Sequence, residues 1–219
     1  MEILDLLIIG AGPIGLNCAL EAKKNNLTYL IVEKGTIVNS LYHYPLYMRF
    51  FSTAEKLEIA EIPFITTAPK PGRQDALEYY QGIARQKDLS INFYEKVLNV
   101  RKNEEIFEVE TSKSRYSAKN VIISTGFYDH PNTMNIPGEN LEKVKHYYTE
   151  PYPFAQQKIV VVGSSNSAVD AALETYRKGA EVTMIIRHSE ISKSVKYWVK
   201  PDIENRILEG SIKAHFNAD

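Results

Sequence analysis

The chain has 219 residues, of which 44% are hydrophobic and 24% are charged, a composition typical of a soluble protein with one large or two small domains. Its formal net charge is −1 and its 26 basic residues are scattered, which argues against a nucleic-acid partner. The single cysteine, Cys18, excludes an internal disulfide framework and an all-cysteine metal site, and it indicates a reducing, cytoplasmic location.

The apolar start of the chain predicts a core strand and not a targeting segment. Residues 3–15 follow no basic region and are interrupted by Gly10, Gly12 and Pro13, unlike a signal peptide. No apolar stretch approaches the ~20 residues that span a bilayer. We therefore expect no membrane partner.

The first pattern that carries chemistry is a strand, a glycine turn, a helix and a second strand that ends in an acid. Residues 4–9 predict the first strand, 10–15 the turn, 16–24 the helix and 30–32 the second strand. In such a turn the glycines permit a tight bend and close approach to a pyrophosphate, while the helix N-terminus offers free N–H groups. Glu33, 23 residues after Gly10, can accept hydrogen bonds from ribose hydroxyls. The candidate cofactor-binding residues here are Gly10, Gly12, Pro13, Ile14, Gly15, Glu33 and Lys34.

The same pattern returns in the last third of the chain. Residues 158–162 predict a strand, 163–168 a turn, 169–178 a helix that ends before Gly179, and 181–186 another strand. This strand is followed by Arg187, whose guanidinium can pair with a 2′-phosphate and so favours NADPH over NADH. The candidate nucleotide-binding residues here are Gly163, Ser165, Asn166, Ser167, Arg187 and His188.

Two other interpretations of the second turn remain open. Ser165 and Ala168 replace two of the three glycines, so the unit could be a structural copy that binds nothing. The serines also invite a comparison with a hydrolase nucleophile elbow, but the last glycine of that motif and a His-Gly-Gly oxyanion loop are absent from the sequence.

The region between the two units predicts a return strand, an insertion and a connection. Residues 121–124 predict a strand that ends in the small-residue turn Thr125-Gly126, where the first domain returns to its cofactor. The alternation over residues 91–100 and 106–111 predicts an inserted antiparallel meander. Prolines punctuate residues 128–154 and indicate a connecting segment.

An aromatic stretch over residues 39–56 follows the first acidic strand. Its rings and small hydroxyl side chains fit the edge of a flavin, and Phe51 and Ser52 are the candidate contacts. Packing of a long loop explains the same residues almost as well.

Five segments of the chain carry a resemblance to a known family. They are Gly-Ala-Gly-Pro-Ile-Gly-Leu at 10–16, Val-Glu-Lys-Gly at 32–35, Phe-Phe-Ser-Thr-Ala-Glu-Lys-Leu-Glu-Ile at 50–59, Ser-Thr-Gly-Phe-Tyr-Asp-His-Pro-Asn at 124–132 and Val-Asp-Ala-Ala-Leu-Glu at 169–174. With them the chain resembles the thioredoxin-reductase-like flavoproteins, and among these the bacillithiol-disulfide reductases. The resemblance implies FAD at Gly10, Gly12, Gly15 and Glu33, NADPH at Gly163, Ser165 and Arg187, and hydride transfer from nicotinamide to flavin.

The chain departs from this family in three places. Thioredoxin reductases carry a Cys-x-x-Cys before the second nucleotide-binding strand, whereas residues 146–150 here read His-Tyr-Tyr-Thr-Glu. The bacillithiol branch places a cysteine where this chain has Ile14, and Cys18 on the following helix is more typical of a buried hydrophobe. Family members also continue beyond position 219 to a Gly-Asp segment that this sequence lacks.

We therefore predict an α/β protein with two Rossmann-like three-layer nucleotide-binding domains in tandem, the second incomplete. Residues 1–127 are expected to bind FAD, 128–154 to connect, and 155–219 to form part of an NADPH-binding domain. The predicted function is an NADPH-dependent flavoprotein reductase that passes electrons to a low-molecular-weight disulfide or related acceptor. Flavin monooxygenase and a non-catalytic nucleotide-binding protein are the alternatives, and the sequence leaves homo-oligomer formation open.

Overall fold

The computed structural model describes residues 3–218, which fall into two compact units. The first comprises residues 3–44 and 52–139, and the second comprises residues 45–51 and 140–218. The boundary at 139/140 lies inside the segment that the prolines indicate as a connection. The sequence does not predict that residues 45–51 belong to the second unit.

Both units contain strands and helices. The strands are β1 (Ile3–Ile9), β2 (Tyr29–Val32), β3 (Ile91–Asn92), β4 (Val97–Asn103), β5 (Ile106–Thr111), β6 (Arg115–Ile123), β7 (Lys158–Val162), β8 (Glu181–Ile186) and β9 (Lys213–Phe216). The helices are α1 (Pro13–Lys24), α2 (Asn39–Tyr42), α3 (Arg73–Gln86), α4 (Asn166–Arg177) and α5 (Lys200–Leu208), with single 3-10 turns at Ala54–Leu57 and Tyr152–Phe154.

The first unit is built on a six-stranded sheet in the order β3-β2-β1-β6-β5-β4. The strand β1 pairs in parallel with both β2 and β6, and its residues Leu7 and Ile8 are fully buried, as expected for a parallel strand covered on both faces. In this register Ile9 lies opposite Val32 and opposite Ile123. The carboxyl ends of the three strands therefore meet at one edge, and the residues that follow them lie close together.

The predicted meander is confirmed in part. The strands β4, β5 and β6 are antiparallel, but residues 91–100 do not form one strand, because Ile91 and Asn92 pair in parallel with β2. Tyr94 interrupts the run with a left-handed φ of 55°. The following residue, Glu95, turns inward and is 3% exposed, so a buried polar contact overrides the alternation of the sequence.

The second unit contains a three-stranded parallel sheet in the order β7-β8-β9. Its core includes Leu173 on α4, Met184 on β8 and Ile203 on α5. Helix α5 begins at Lys200, and Lys196 before it is held in an ion pair with Asp170. The predicted α/β class and Rossmann-like architecture are confirmed. Within residues 3–218, no helix is long and apolar enough to cross a membrane.

Both turn helices begin earlier than the hydrophobic pattern predicts. Helix α1 begins at Pro13 and α4 at Asn166, three residues before their first regularly apolar positions. The residues before them, Gly12 and Ser165, are extended and cap the helices with ψ near 180°. The backbone of each turn therefore enters its helix directly.

Candidate functional site

The first glycine turn is closed by backbone contacts that only glycine allows. Gly10 has a φ of +105° and donates its N–H to the carbonyl of Val32 at 2.9 Å. A Cβ at this position would lie 2.6 Å from the carbonyl oxygen of Ser124. A side chain at Gly10 would therefore require both a strained backbone and displacement of the strand beside it.

The start of α1 packs directly on this turn. A Cβ at Gly15 would overlap the carbonyl oxygen of Gly10, whereas a Cβ at Gly12 would meet no atom within 4 Å. The turn is thus crowded at Gly10 and Gly15 and open at Gly12, the residue that caps α1. The first N–H groups of this helix have no partner inside the helix. Pro13 occupies the first helical turn, and Ile14 is 67% exposed. Such a cradle fits the diphosphate of a dinucleotide.

Glu33 follows β2 and is anchored to the turn itself. It is only 6% exposed, and its carboxylate accepts the N–H of Ala11 and that of Gly35, each at 2.8 Å. Each carboxylate oxygen has a further lone pair, so this anchoring leaves acceptor capacity for ribose hydroxyls. The structure therefore brings Glu33 and the glycine turn together as the sequence spacing predicts, although its bonds to Ala11 and Gly35 have no signal in the sequence.

Residues after β6 complete this edge of the sheet. The hydroxyl of Ser124 donates to the carbonyls of Ile9 and Gly10, at 2.9 and 3.0 Å. Thr125 and Gly126 follow it and are exposed, and Gly126 has a φ of +66°. Lys34 forms an ion pair with Asp129. Sequence reasoning did not assign a role to Ser124 or Asp129, although both lie in the segment that carries the family resemblance.

A second group of residues missed by the sequence holds Glu33 from the other side. The N–H of Glu33 donates to the carbonyl of Asn92, and the N–H of Glu95 donates to the carbonyl of Glu33, both at 2.9 Å. The buried carboxylate of Glu95 accepts the hydroxyls of Thr111 at 2.5 Å and Tyr116 at 2.9 Å. This network, which we term the Glu95 brace, ties the antiparallel strands to the end of β2.

The glycine turn of the second unit repeats the geometry of the first with different residues. Gly163 has a φ of +119° and donates its N–H to the carbonyl of Ile185 at 3.0 Å. Ser165 caps α4, and its hydroxyl is exposed and makes no capping hydrogen bond. Ala168 stands at the third glycine position, and its Cβ would lie 3.3 Å from a Cβ on Gly163. This turn is therefore wider than the first.

The other candidate residues of the second unit lie on two sides of the turn. Arg187 and His188 directly follow β8 and are exposed, and so is Ser167 on α4. The side chain of Asn166 instead bonds to the protein, donating to the carbonyl of Ser194 and accepting the N–H of Lys196, each at 2.9 Å. An exposed cation thus follows the strand at the place where the sequence predicts a phosphate partner.

The two predicted flavin contacts fall in different units. Phe51 belongs to the second unit and stacks on Trp198 with ring centroids 5.7 Å apart, whereas Ser52 begins the continuation of the first unit. In the first unit Tyr44 packs edge-on against Tyr128 at 4.7 Å, and the hydroxyl of Tyr128 donates to the carbonyl of His43 at 3.1 Å. Part of the aromatic stretch thus packs against other aromatic residues of the protein.

The thiol of Cys18 is not activated. Burial raises the pKa of this thiol, which lowers the fraction of thiolate at neutral pH. It is the only cysteine of the sequence, so these residues cannot form an internal dithiol pair. The stretch that carries cysteines in thioredoxin reductases instead contains Tyr148, whose hydroxyl donates to Glu174 at 2.6 Å.

Two Rossmann-like βαβ units in tandem, one ending in an acid and the other in an arginine, define the class of this protein. The chain belongs to the pyridine nucleotide-disulphide oxidoreductase family, whose profile matches residues 7–219. Proteins of this family generally use a flavin and NADP(H). The thioredoxin-reductase-like resemblance is thereby confirmed.

Known proteins agree with this assignment. The chain is 45% identical to the bacilliredoxin reductase Bdr of Bacillus subtilis over 97% of its own length and 66% of that protein. Its structure matches the bacillithiol disulfide reductase Bdr of Bacillus cereus with a TM-score of 0.97 at 44% identity, covering 100% of this chain and 69% of that one. A flavin-containing monooxygenase from Stenotrophomonas maltophilia matches with a TM-score of 0.81 at 23% identity over 99% of this chain and 70% of that one, which shows the fold alone. The chain thus spans about two-thirds of the length of these proteins.

Proposed function

We propose that this chain forms the nucleotide-binding part of an FAD-dependent oxidoreductase that takes hydride from NADPH and passes electrons to a low-molecular-weight disulfide. The observation that carries the proposal is the pairing of two glycine turns with opposite charges at the strand ends, Glu33 in the first unit and Arg187 in the second. A carboxylate selects ribose hydroxyls, and a guanidinium selects a 2′-phosphate.

In the first unit, the residues of the turn bind and orient FAD. The N–H groups at the start of α1 face the diphosphate, and the open space beside Gly12 lets it approach the backbone. Glu33, fixed by Ala11 and Gly35, accepts the adenosine ribose hydroxyls. When bound, the flavin supplies the two-electron chemistry between nicotinamide and acceptor.

In the second unit, Gly163 and Ser165 carry the corresponding role for NADPH. Ser165 and Ser167 expose hydroxyls at the start of α4, where they can donate to the diphosphate. Arg187 and His188 lie at the end of β8 and recognise the 2′-phosphate.

The acceptor is proposed from the relatives, two of which are named for bacilliredoxin and bacillithiol disulfide. In the overall reaction NADPH and one proton reduce one disulfide to two thiols, and NADP⁺ is released. Since Cys18 is the only cysteine of the chain and burial raises its pKa, we assign it no relay role. The single cysteine also favours a reducing compartment such as the cytoplasm.

The first test is the visible spectrum of the protein purified without added cofactor, followed by anaerobic addition of NADPH or NADH. We expect flavin bands that bleach faster with NADPH, and reoxidation on addition of bacillithiol disulfide. Oxygen uptake that requires a soft nucleophilic substrate would indicate a monooxygenase instead. A colourless protein that cannot be reconstituted with FAD would contradict the proposal.

A further inference from the structure

The loop that follows β8 folds back over the second glycine turn. This β8–α5 loop, residues 187–199, begins at Arg187. The N–H of Ser192 donates to the carbonyl of Ser164 at 3.2 Å. The amide of Asn166, the first residue of α4, spans two further points of the loop, the carbonyl of Ser194 and the N–H of Lys196, at 2.9 Å each. The loop is therefore bonded to the turn itself.

One turn further along α4, an ion pair fastens the same loop. The ammonium of Lys196 lies 2.6 Å from the carboxylate of Asp170, and Lys196 is only 8% exposed. Asn166 and Asp170 are four residues apart and so lie on one face of the helix. A buried charged pair costs desolvation and adds little net stability, but it fixes the position of the groups that it joins. Two side chains of α4 thus hold the loop: Asn166 binds the loop backbone, and Asp170 binds the side chain of Lys196.

This arrangement bears on nucleotide choice because the loop carries the cation that would meet the phosphate. Arg187 is exposed and has a long, flexible side chain. The carbonyls on either side of it, at Ile186 and His188, accept the N–H groups of Ala218 and Asn217, each at 3.1 Å, and Asn166 holds the other end of the same loop. Fixing both ends of the loop removes part of the ordering entropy that binding would otherwise cost. NADH lacks the 2′-phosphate and gains nothing from a fixed Arg187. Preorganisation of the loop would therefore favour NADPH selectively.

We propose that Asn166, assisted by the Asp170–Lys196 ion pair, is a positioning residue that fixes the β8–α5 loop and thereby sets the preference for NADPH over NADH. The inference rests on the proposed NADPH-binding function of this unit. It also gives Asn166 a role different from the direct cofactor contact that the sequence indicates, because its side chain oxygen and nitrogen are both bonded to the loop.

The test measures dissociation constants for NADPH and NADH by calorimetry in the wild type, Asn166→Ala, Arg187→Ala and the double variant. We expect Asn166→Ala to lower the ratio of the NADH to the NADPH dissociation constant on the order of tenfold, as two lost hydrogen bonds would. In the Arg187→Ala background the same change should leave the ratio unaltered. Asp170→Asn should lower the ratio in the same direction. Asn205→Ala, an exposed asparagine on α5, is the matched control.

A second measurement reports the order of the loop independently of nucleotide binding. The backbone N–H of Lys196 donates a hydrogen bond to the side-chain oxygen of Asn166. Hydrogen exchange at this N–H should therefore be faster in Asn166→Ala than in the wild type, without any nucleotide present. A faster exchange with an unchanged ratio would overturn the proposal, as would equal weakening of both nucleotides, which indicates a contact with the shared diphosphate. A wild-type protein that binds neither nucleotide would overturn the proposed function, and the nucleotide preference assigned to Asn166 with it.

Discussion

The two glycine turns reach the same backbone shape through different neighbours. Gly10 and Gly163 have similar φ values, +105° and +119°. In the first unit β1 lies between β2 and β6, and Ser124 after β6 presses against the turn. In the second unit β7 pairs only with β8 within residues 3–218, and a loop bonded to Ser164 covers the turn instead. A third glycine is therefore needed in the first turn, where a Cβ at Gly15 would overlap the Gly10 carbonyl oxygen and approach the Ser124 hydroxyl, and not in the second, where Ala168 is accommodated.

The helices that follow the two turns also use one equivalent position for different contacts. Asn17 on α1 and Asp170 on α4 occupy the same position, seven residues after the first glycine. Asn17 accepts the N–H of Ala60 at 3.0 Å, and Asp170 binds the Lys196 ammonium at 2.6 Å. Both units thus use this position to hold a loop, with a neutral contact in one and an ion pair in the other.

The largest effect on stability is expected when the residue at the third glycine position of each turn, Gly15 or Ala168, is replaced by the residue of the other unit. Gly15→Ala places a Cβ on the carbonyl oxygen of Gly10 and should destabilise the protein by about 2–3 kcal/mol. The reciprocal Ala168→Gly should cost at most about 1 kcal/mol, from helix propensity. Chemical denaturation of both variants measures the difference. Equal losses would mean that the two turns are equally crowded, contrary to the structure.

Next in size is the loss of the Glu95 brace, which has no counterpart among the described residues of the second unit. Thr111→Val removes the hydroxyl that donates to the buried carboxylate of Glu95 at 2.5 Å and should cost about 1–3 kcal/mol. Because the brace holds the end of β2, FAD retention should fall as well. Thr67→Val, at an exposed threonine, controls for the substitution itself. Normal FAD content with reduced stability would show that the brace supports the sheet and not Glu33.

A smaller effect is expected at the acid that distinguishes the first unit from the second. In Glu33→Gln an amide nitrogen replaces one of two oxygens that accept the N–H groups of Ala11 and Gly35. One donor then loses its partner, and we expect FAD to bind on the order of tenfold more weakly, about 1.4 kcal/mol. Reconstitution of the apoprotein with FAD, followed by flavin fluorescence, measures this change. NADPH affinity should be unaltered, and a parallel loss of both would contradict the assignment of Glu33 to FAD.

The sequence predicts the local elements of this fold well and the contacts between distant residues poorly. The strands over residues 158–162 and 181–186 are confirmed with the same bounds, because an apolar run between turn signals is a local pattern. The bonds of Glu33 to Ala11 and of Asn166 to the β8–α5 loop depend on which chain ends meet at the sheet edge. Tyr94 and Glu95 break an alternating run for the same reason, since a buried hydrogen bond to Thr111 outweighs strand propensity.

The smallest effect concerns one position that the two helices share, eleven residues after the first glycine. On α4 burial raises the pKa of Glu174 above its ordinary value of 4.5, and nearby Asp170 also raises it, although the Tyr148 hydroxyl opposes the shift. A carboxyl with a raised pKa stabilises the fold below its unfolded pKa, and this contribution is lost as pH rises through the folded pKa. On α1 the equivalent residue, Glu21, is exposed.

Glu174→Gln removes this titration, so the free energy of unfolding of the variant should rise relative to the wild type between pH 4.5 and neutrality. The gain should stay below about 1 kcal/mol, because solvent screens a half-buried group. Urea denaturation at several pH values measures it, and Glu21→Gln is the matched control for the loss of a helix carboxylate. If the two variants show the same pH dependence, burial does not distinguish these positions. If only Glu174→Gln shows the rise, the inward packing of α4 against Tyr148 is a property of the second unit that α1 does not share.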